Sequence, residues 1–225
     1  MERIVTTAEQ LDKMKRDWDQ RARENARYYV ATGNENWTDR EFFASGERAV
    51  AEDILTDMTN VCQGKDPKQM RVLEIGCGAA RVTRALSNLF GEVHAVDVSG
   101  EMVALARKAL EDRPGAHIYQ NNGMDLSVVS GPFDFAYSGI VFQHIPSRAV
   151  IENYVKEVHR LLRPGALFKF QVQGNPGSEP SPDDTWLGVS FSKKQADEMA
   201  RRCGFDPRYQ YGAGEQYFWL WYFKM

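Results

Sequence analysis

Between Met70 and Asp97 the spacing of apolar residues changes period twice. Val72-Leu73-Glu74-Ile75 is short and rich in β-branched residues, as a buried strand is. Gly76-Cys77-Gly78 follows at once, and Val82, Ala85, Leu86, Leu89 and Phe90 then recur on one helical face. A second apolar run, Val93 to Val96, ends in Asp97. Strand, glycine turn, helix, strand and acid, with the acid about 20 residues past the turn, is the order of a nucleotide-binding βαβ unit. Glycines let the backbone approach a ligand, and a carboxylate at the end of the second strand can accept both hydroxyls of a ribose.

Ahead of this unit the pattern is helical. Thr7 to Gln10 has the spacing of a capping box, with Leu11, Met14, Trp18 and Ala22 on one face behind it. Tyr28 and Tyr29 lead into a turn at 33–37. Thr38 to Glu41 is a second capping box, and Val50, Ile54, Met58 and Val61 form the stripe of the helix it opens. Residues 1–66 therefore read as a helical extension of the unit 67–225, not as an independent domain.

After Asp97, Ser99 caps a helix with Met102, Val103, Ala106, Ala109 and Leu110 inward. His117 to Gln120 and Phe133 to Ser138 are strands. Ser147 caps a helix carrying Ile151, Tyr154, Val155, Val158, Leu161 and Leu162, which Pro164-Gly165 stops before a strand from Ala166 to Val172. The Pro-, Gly-, Ser- and Asp-rich stretch from Gly174 to Gly188 is long for a connection. Ser192 to Gln195 is a third capping box for a helix ending at Gly204, and two strands follow, Pro207–Tyr211 and Gln216–Lys224. Both alternating faces of the last strand are apolar, which suits an interior position in a sheet covered on both sides.

Composition narrows the function. A chain of 225 residues can bury one sizeable core. A net charge of −3 and a pI near 5.9 argue against a general nucleic-acid or anionic-membrane surface. No apolar run is long enough to span a bilayer, and the first residues lack the zones of a signal peptide. Cys62, Cys77 and Cys203 are odd in number and far apart, so they imply no disulfide framework. The histidines at 94, 117, 144 and 159 lack metal-ligand spacing among themselves or with the cysteines. A cytoplasmic protein without a metal is the expectation.

LEIGCGAARVTRAL followed by VHAVDVS resembles the first two motifs of class I S-adenosylmethionine-dependent methyltransferases, and LLRPGALFKF resembles their last common motif. Glu74, Gly76 and Gly78 stand where that family has its E/D-x-G-x-G pattern. Ala80 replaces a third glycine, for which a slightly tighter turn is expected. The resemblance implies a three-layer α/β/α Rossmann-like fold: a mixed seven-stranded sheet with an antiparallel last strand, and an N-terminal helical lid. It implies transfer of the cofactor's methyl group to an O, N, S or C atom of a small molecule, leaving S-adenosylhomocysteine. Protein or RNA methylation, or a non-catalytic binding module, are the alternatives. Neither a nucleic-acid nor a membrane partner is expected.

The candidate site collects the ends of strands. Glu74, Gly76, Cys77, Gly78, Arg81 and Asp97 belong to the first βαβ unit. Val98 and Met102 are placed to pack on an adenine ring or in the core. Gly123, Met124 and Asp125 resemble the family segment whose acid meets the adenine amino group, with a helix cap as the other reading. Ser138 opens the loop after the fourth strand, Ser138 to Pro146, where the resemblance puts the reactive methyl. His144 there is either a general base for the acceptor or a structural histidine. Tyr29 and Trp37, with Tyr28, either close over the cofactor or dock the N-terminal helices. Glu179, Asp183, Asp184 and Trp186 lie on a loop that is either merely solvated or lines the pocket, where it would favour a cationic or polar acceptor.

Overall fold

The computed structural model describes residues 6–177 and 185–225. Three helices come first: α1 (Thr7–Val30), α2 (Asp39–Asp53) and α3 (Met58–Cys62). Then strands and helices alternate as β1 (Arg71–Ile75), α4 (Arg81–Leu89), β2 (Glu92–Asp97), α5 (Gly100–Ala109) and β3 (Ala116–Gln120). The remainder is β4 (Phe133–Ser138), α6 (Arg148–Leu161), β5 (Leu162–Val172), α7 (Lys193–Arg202), β6 (Phe205–Tyr211) and β7 (Phe218–Lys224). The seven strands lie in the order β3-β2-β1-β4-β5-β7-β6. β7 is antiparallel to both its neighbours, and the other pairings are parallel. Strand order reverses between β1 and β4, which opens a crevice at their carboxyl ends.

Alternation along each strand assigns the two faces. On β7, Phe218, Leu220 and Tyr222 join the cluster holding Val155 and Val158 of α6 and Met199 of α7. Phe223, with Trp219 and Trp221 packed beside it, joins the cluster of Val50, Ile54, Val61 and Leu86 on the other side. Burying each such side chain contributes roughly 1.5–3 kcal/mol, so a strand apolar on both faces belongs inside the sheet. The second cluster also holds Val72, Val93 and Phe135, so α2 and α3 share the core of the sheet.

Some local expectations are corrected. The first capping box is Thr6 to Glu9: the Thr6 hydroxyl accepts from Glu9 N, and the Glu9 carboxylate accepts from Thr6 N. A carboxylate is a stronger acceptor than the Gln10 amide and suits a helix N-terminus better. The stripe Val50, Ile54, Met58, Val61 is buried or packed as expected, but α2 ends at Asp53 and a 3₁₀ turn, Leu55–Asp57, precedes α3. β5 begins at Leu162, because the register shift between Phe133 and Phe135 lets Arg163-Pro164-Gly165 stay within the strand.

α1 is also broken. Asn25 leaves helical geometry at φ −165°, ψ 81°. Its side-chain oxygen accepts from Tyr28 N, and its amide donates to Glu35 O. The part before the break is docked: the Asp19 carboxylate accepts from Ser99 Oγ and Glu101 N at the start of α5, and Arg23 pairs with Glu101. The part after it carries Tyr28, Tyr29 and Val30.

Candidate functional site

A cavity of ≈ 910 Å³, its solvent-facing mouth included, opens at the carboxyl ends of β1, β2 and β4. Its floor is the glycine turn. Gly76 sits at φ +78°, and a Cβ there would stand 2.3 Å from Val141 Cγ2, so only glycine fits. Ala80 keeps a left-handed conformation at φ 67°, which costs about 1–2 kcal/mol for a residue with a Cβ. The backbone path thus accommodates the missing third glycine. Gly76 N and Cys77 N both donate to Val96 O, clamping the turn to β2.

Asp97 closes the far wall. Its carboxylate accepts from Gly78 N at 2.8 Å and Ser99 N at 2.9 Å. Burial raises its pKa, and those backbone N–H groups pull it back. Glu74 is buried, and burial pushes its carboxyl up to about 7 while Thr83 and Arg81 oppose. Arg81 reaches Ser45 O with one guanidinium nitrogen, and burial lowers its pKa. Glu74 Oε2 and Arg81 Nε are buried without a partner, and both residues line the cavity. Unpaired buried groups of opposite charge on one cavity wall suit a ligand that brings an ammonium and a carboxylate together.

A third unpartnered atom is Asn121 Oδ1. The Asn121 amide nitrogen donates to Asp125 O at 3.1 Å and to Tyr154 Oη at 2.7 Å. A carbonyl can only accept, so this contact fixes which end of the amide is nitrogen and leaves the oxygen to accept from a ligand. Met14, Trp18, Val98, Met102 and Tyr154 supply apolar wall around it. Asn121, Met14 and Trp18 are additions to the residues read from sequence. The signal for Asn121 is its place directly after β3; Met14 and Trp18 look like any apolar helix stripe.

Glu74, Gly76, Cys77, Gly78, Arg81, Asp97, Val98, Met102, His144 and Tyr29 all line this cavity. Gly123, Met124, Asp125 and Ser138 are not among its lining residues. Asp125 bonds Ser127 and Asn122 within its own turn, and because no helix stands between β3 and β4 it is not the helix cap that the sequence also allowed. Gly123 packs near Met14 and Leu11 of α1, and Met124 is exposed. Ser138 is buried and donates to Ile75 O across β1, so it ties strands while Gly139, Ile140 and Val141 reach the cavity. Ile140 holds φ +58°, a strained value for a β-branched residue, at the cavity's edge.

An outer recess of ≈ 840 Å³ shares Tyr29, Val30, Arg81, Ile140 and His144 with the cavity and adds Trp37, Gln143, Trp186 and Tyr217. Among the described residues, its wall has no carboxylate. Glu179, Asp183 and Asp184 lie outside the described residues. Trp37 donates from Nε1 to Ala31 O, and Tyr29 donates to Glu24. Both stand on the rim. His144 Nδ1 faces Trp186 O, to which it must donate, and Gln143 Nε2 stands 3.3 Å from Nε2. In the neutral ring, Nε2 then accepts from Gln143. Trp18 and Trp186 pack on the same imidazole, with ring centroids 5.3 and 4.9 Å away.

The sequence model of the family described as "Methyltransferase domain" matches residues 72–165. A malonyl-[acyl-carrier protein] O-methyltransferase of Enterobacter lignolyticus is 32% identical over 136 residues, 60% of this chain and 51% of that protein. The chain spans about half the length of the curated relatives it matches. Magnesium protoporphyrin IX methyltransferase from Synechocystis, solved with bound S-adenosylmethionine, superposes with a TM-score of 0.69 at 13% identity, covering 99% of this chain and 100% of that one. An amino pentose methyltransferase from Micromonospora echinaspora, also holding that cofactor, gives 0.65 at 15% identity, with 85% and 99% covered.

Proposed function

We propose, for a chain whose residues 72–165 are a methyltransferase domain on the class I methyltransferase sheet, that it transfers the methyl group of S-adenosylmethionine to a small organic acceptor. The observation that carries this reading is the set of three unpartnered polar atoms on the cavity wall. Glu74 Oε2 takes the ammonium of the cofactor's amino-acid end, Arg81 its carboxylate and Asn121 Oδ1 the adenine amino group. Asp97 accepts the ribose hydroxyls. When bound, the cofactor supplies a methyl group on a sulfonium, a leaving group that needs no protonation. The chain's own contribution is position and exclusion of water. The wall of Tyr29, Trp37, Trp186 and Tyr217, without a described carboxylate, favours an uncharged or anionic acceptor with apolar surface. The deciding experiment supplies the chain with methyl-labelled cofactor and the small-molecule fraction of a cell extract. Label in one extract metabolite supports the reading; label remaining on the cofactor, or passing only to protein or RNA, overturns it.

His144 acts in this reading by holding the 139–145 loop against Trp186. His144→Asn is expected to lower kcat by less than about tenfold and to lower thermal stability, because a lost general base removes about 10²-fold or more. A pH–rate profile of the variant checks this: a loss of 10²-fold or more with unchanged stability returns His144 to the role of base.

Within the helical extension 1–66, α1 and the turn after it supply the lid, since α2 and α3 share the core of the sheet, and the moving part is the segment after Asn25. Limited proteolysis is expected to cut between Ala31 and Asp39 in the free chain and to be suppressed by S-adenosylhomocysteine. A cleavage pattern indifferent to that ligand removes the lid. The reading places the enzyme in the cytoplasm: its three cysteines are buried free thiols, as suits a reducing compartment. Among the described residues, no helix is long and apolar enough to cross a membrane.

A further inference from the structure

At the amino ends of the strands, away from the cavity, a second group of polar side chains converges. β2 and β3 pair in parallel with His94 opposite His117, and β1 sets Arg71 opposite Glu92. Because strand residues alternate faces, Glu92 shares a face with His94, and Tyr119 with His117. One ligand atom from each of Glu92, His94 and His117 lies within 4.8 Å of the other two. His94 Nδ1 is 3.1 Å from Tyr119 Oη, and His94 Nε2 is 3.3 Å from Glu92 Oε2. An imidazole lone pair and a carboxylate that close repel unless a proton or cation bridges them. Arg71 bridges them here: its Nε is 2.9 Å from Glu92 Oε2, and its Nη2 is 3.3 Å from His94 Nε2.

We propose that Glu92, His94 and His117 bind a divalent transition cation of the zinc type, which takes the place of the Arg71 guanidinium. Two imidazoles and one carboxylate are a borderline nitrogen–oxygen set that suits zinc, whereas magnesium and calcium call for oxygen ligands throughout. Tetrahedral ligands about 2.0–2.1 Å from zinc stand about 3.3 Å apart, so the three side chains close in slightly on binding. Glu92 is 48% exposed and His117 half-buried, which leaves both free to do so. Arg71 has only to release Glu92 and His94, a part-exposed pair at 35% and 48% of a kind that contributes little, while its bonds to Pro132 O and Ser130 O and its place over Phe133 hold the guanidinium beside the site. The contact between His94 Nδ1 and Tyr119 is the outer bond that orients a ligating imidazole. Glu92 begins β2 and Asp97 ends it, about 17 Å along the strand, so the metal ties β2 to the edge strand β3 and takes no part in methyl transfer.

The test is calorimetric titration of zinc into the chelator-treated chain without a polyhistidine tag. One zinc per chain is expected. His117→Ala and Glu92→Gln should each weaken it at least about tenfold, and His159→Ala, a histidine remote from the cluster, should not. Arg71→Gln should tighten it, since the internal competitor is gone. A wild-type chain that takes up no zinc below millimolar concentration overturns the proposal. So does affinity unchanged in whichever of His117→Ala and Glu92→Gln folds, or affinity not increased in Arg71→Gln.

Discussion

Asp97→Ala is expected to weaken S-adenosylmethionine binding by about a hundredfold or more. A hydrogen bond to an ionised carboxylate contributes roughly 1.5–3 kcal/mol, and two ribose hydroxyls can use it, which puts the loss at about 3 kcal/mol or above. The carboxylate has a second role in the free protein, where it accepts from Gly78 N and Ser99 N and so fixes the glycine turn against the start of α5. Asp97→Asn separates the two. It keeps an acceptor oxygen for one backbone N–H but loses the charge, so its cofactor affinity should fall between those of wild type and alanine. Titration calorimetry with S-adenosylhomocysteine reads both variants. Wild-type affinity in a folded Asp97→Ala chain would falsify the assignment.

Glu74→Gln is expected to move stability and cofactor affinity in opposite directions. The folded pKa of about 7 lies above the ordinary value of 4.5, so the carboxyl prefers to be protonated in the folded chain. Its contribution to stability is therefore fully present below pH 4.5 and lost as pH rises through about 7, a change on the order of 3 kcal/mol. The neutral amide removes that loss. Urea unfolding of the ligand-free chains should give similar stabilities near pH 5 and a more stable variant at pH 8. Cofactor affinity should meanwhile fall about tenfold or more at pH 8, because the amide lacks the charge that meets an ammonium. For the wild type, affinity should rise with pH through 7 as Glu74 ionises. Parallel pH–stability curves for the two chains would remove Glu74 from both roles.

Local pattern carried the first βαβ unit from Val72 to Asp97, because its turn, helix and strand are set by residues close in sequence. The interior place of β7 was equally legible, since a strand apolar on both faces has nowhere else to go. Asn121 was not: its availability depends on a carbonyl four residues on, at Asp125, turning its amide oxygen toward the cavity. His94 and His117 meet only through strand register across β2 and β3, and the spacing of histidines along the chain says nothing of that. Asp125 and Ser138 stand apart from the residues that line the cavity, since a polar residue after a strand can spend its side chain on its own turn or on a neighbouring strand. Met14 and Trp18 show a further limit: one apolar stripe serves a core and a ligand wall alike.

The antiparallel strand β7 also orders the chain in time as it is made. β6 pairs only with β7, and β5 has β4 on one side and β7 on the other. Once Val172 has emerged from the ribosome, the five parallel strands that carry the cavity floor can assemble. Until Phe218 to Lys224 emerge, however, β5 presents an unpaired edge backed by Phe168 and Phe170. An apolar open edge pairs readily with another chain. The ribosome therefore exposes, for the span of some fifty codons, a half-sheet more prone to aggregation than the finished protein, and synthesis paused in that span favours capture by chaperones or degradation.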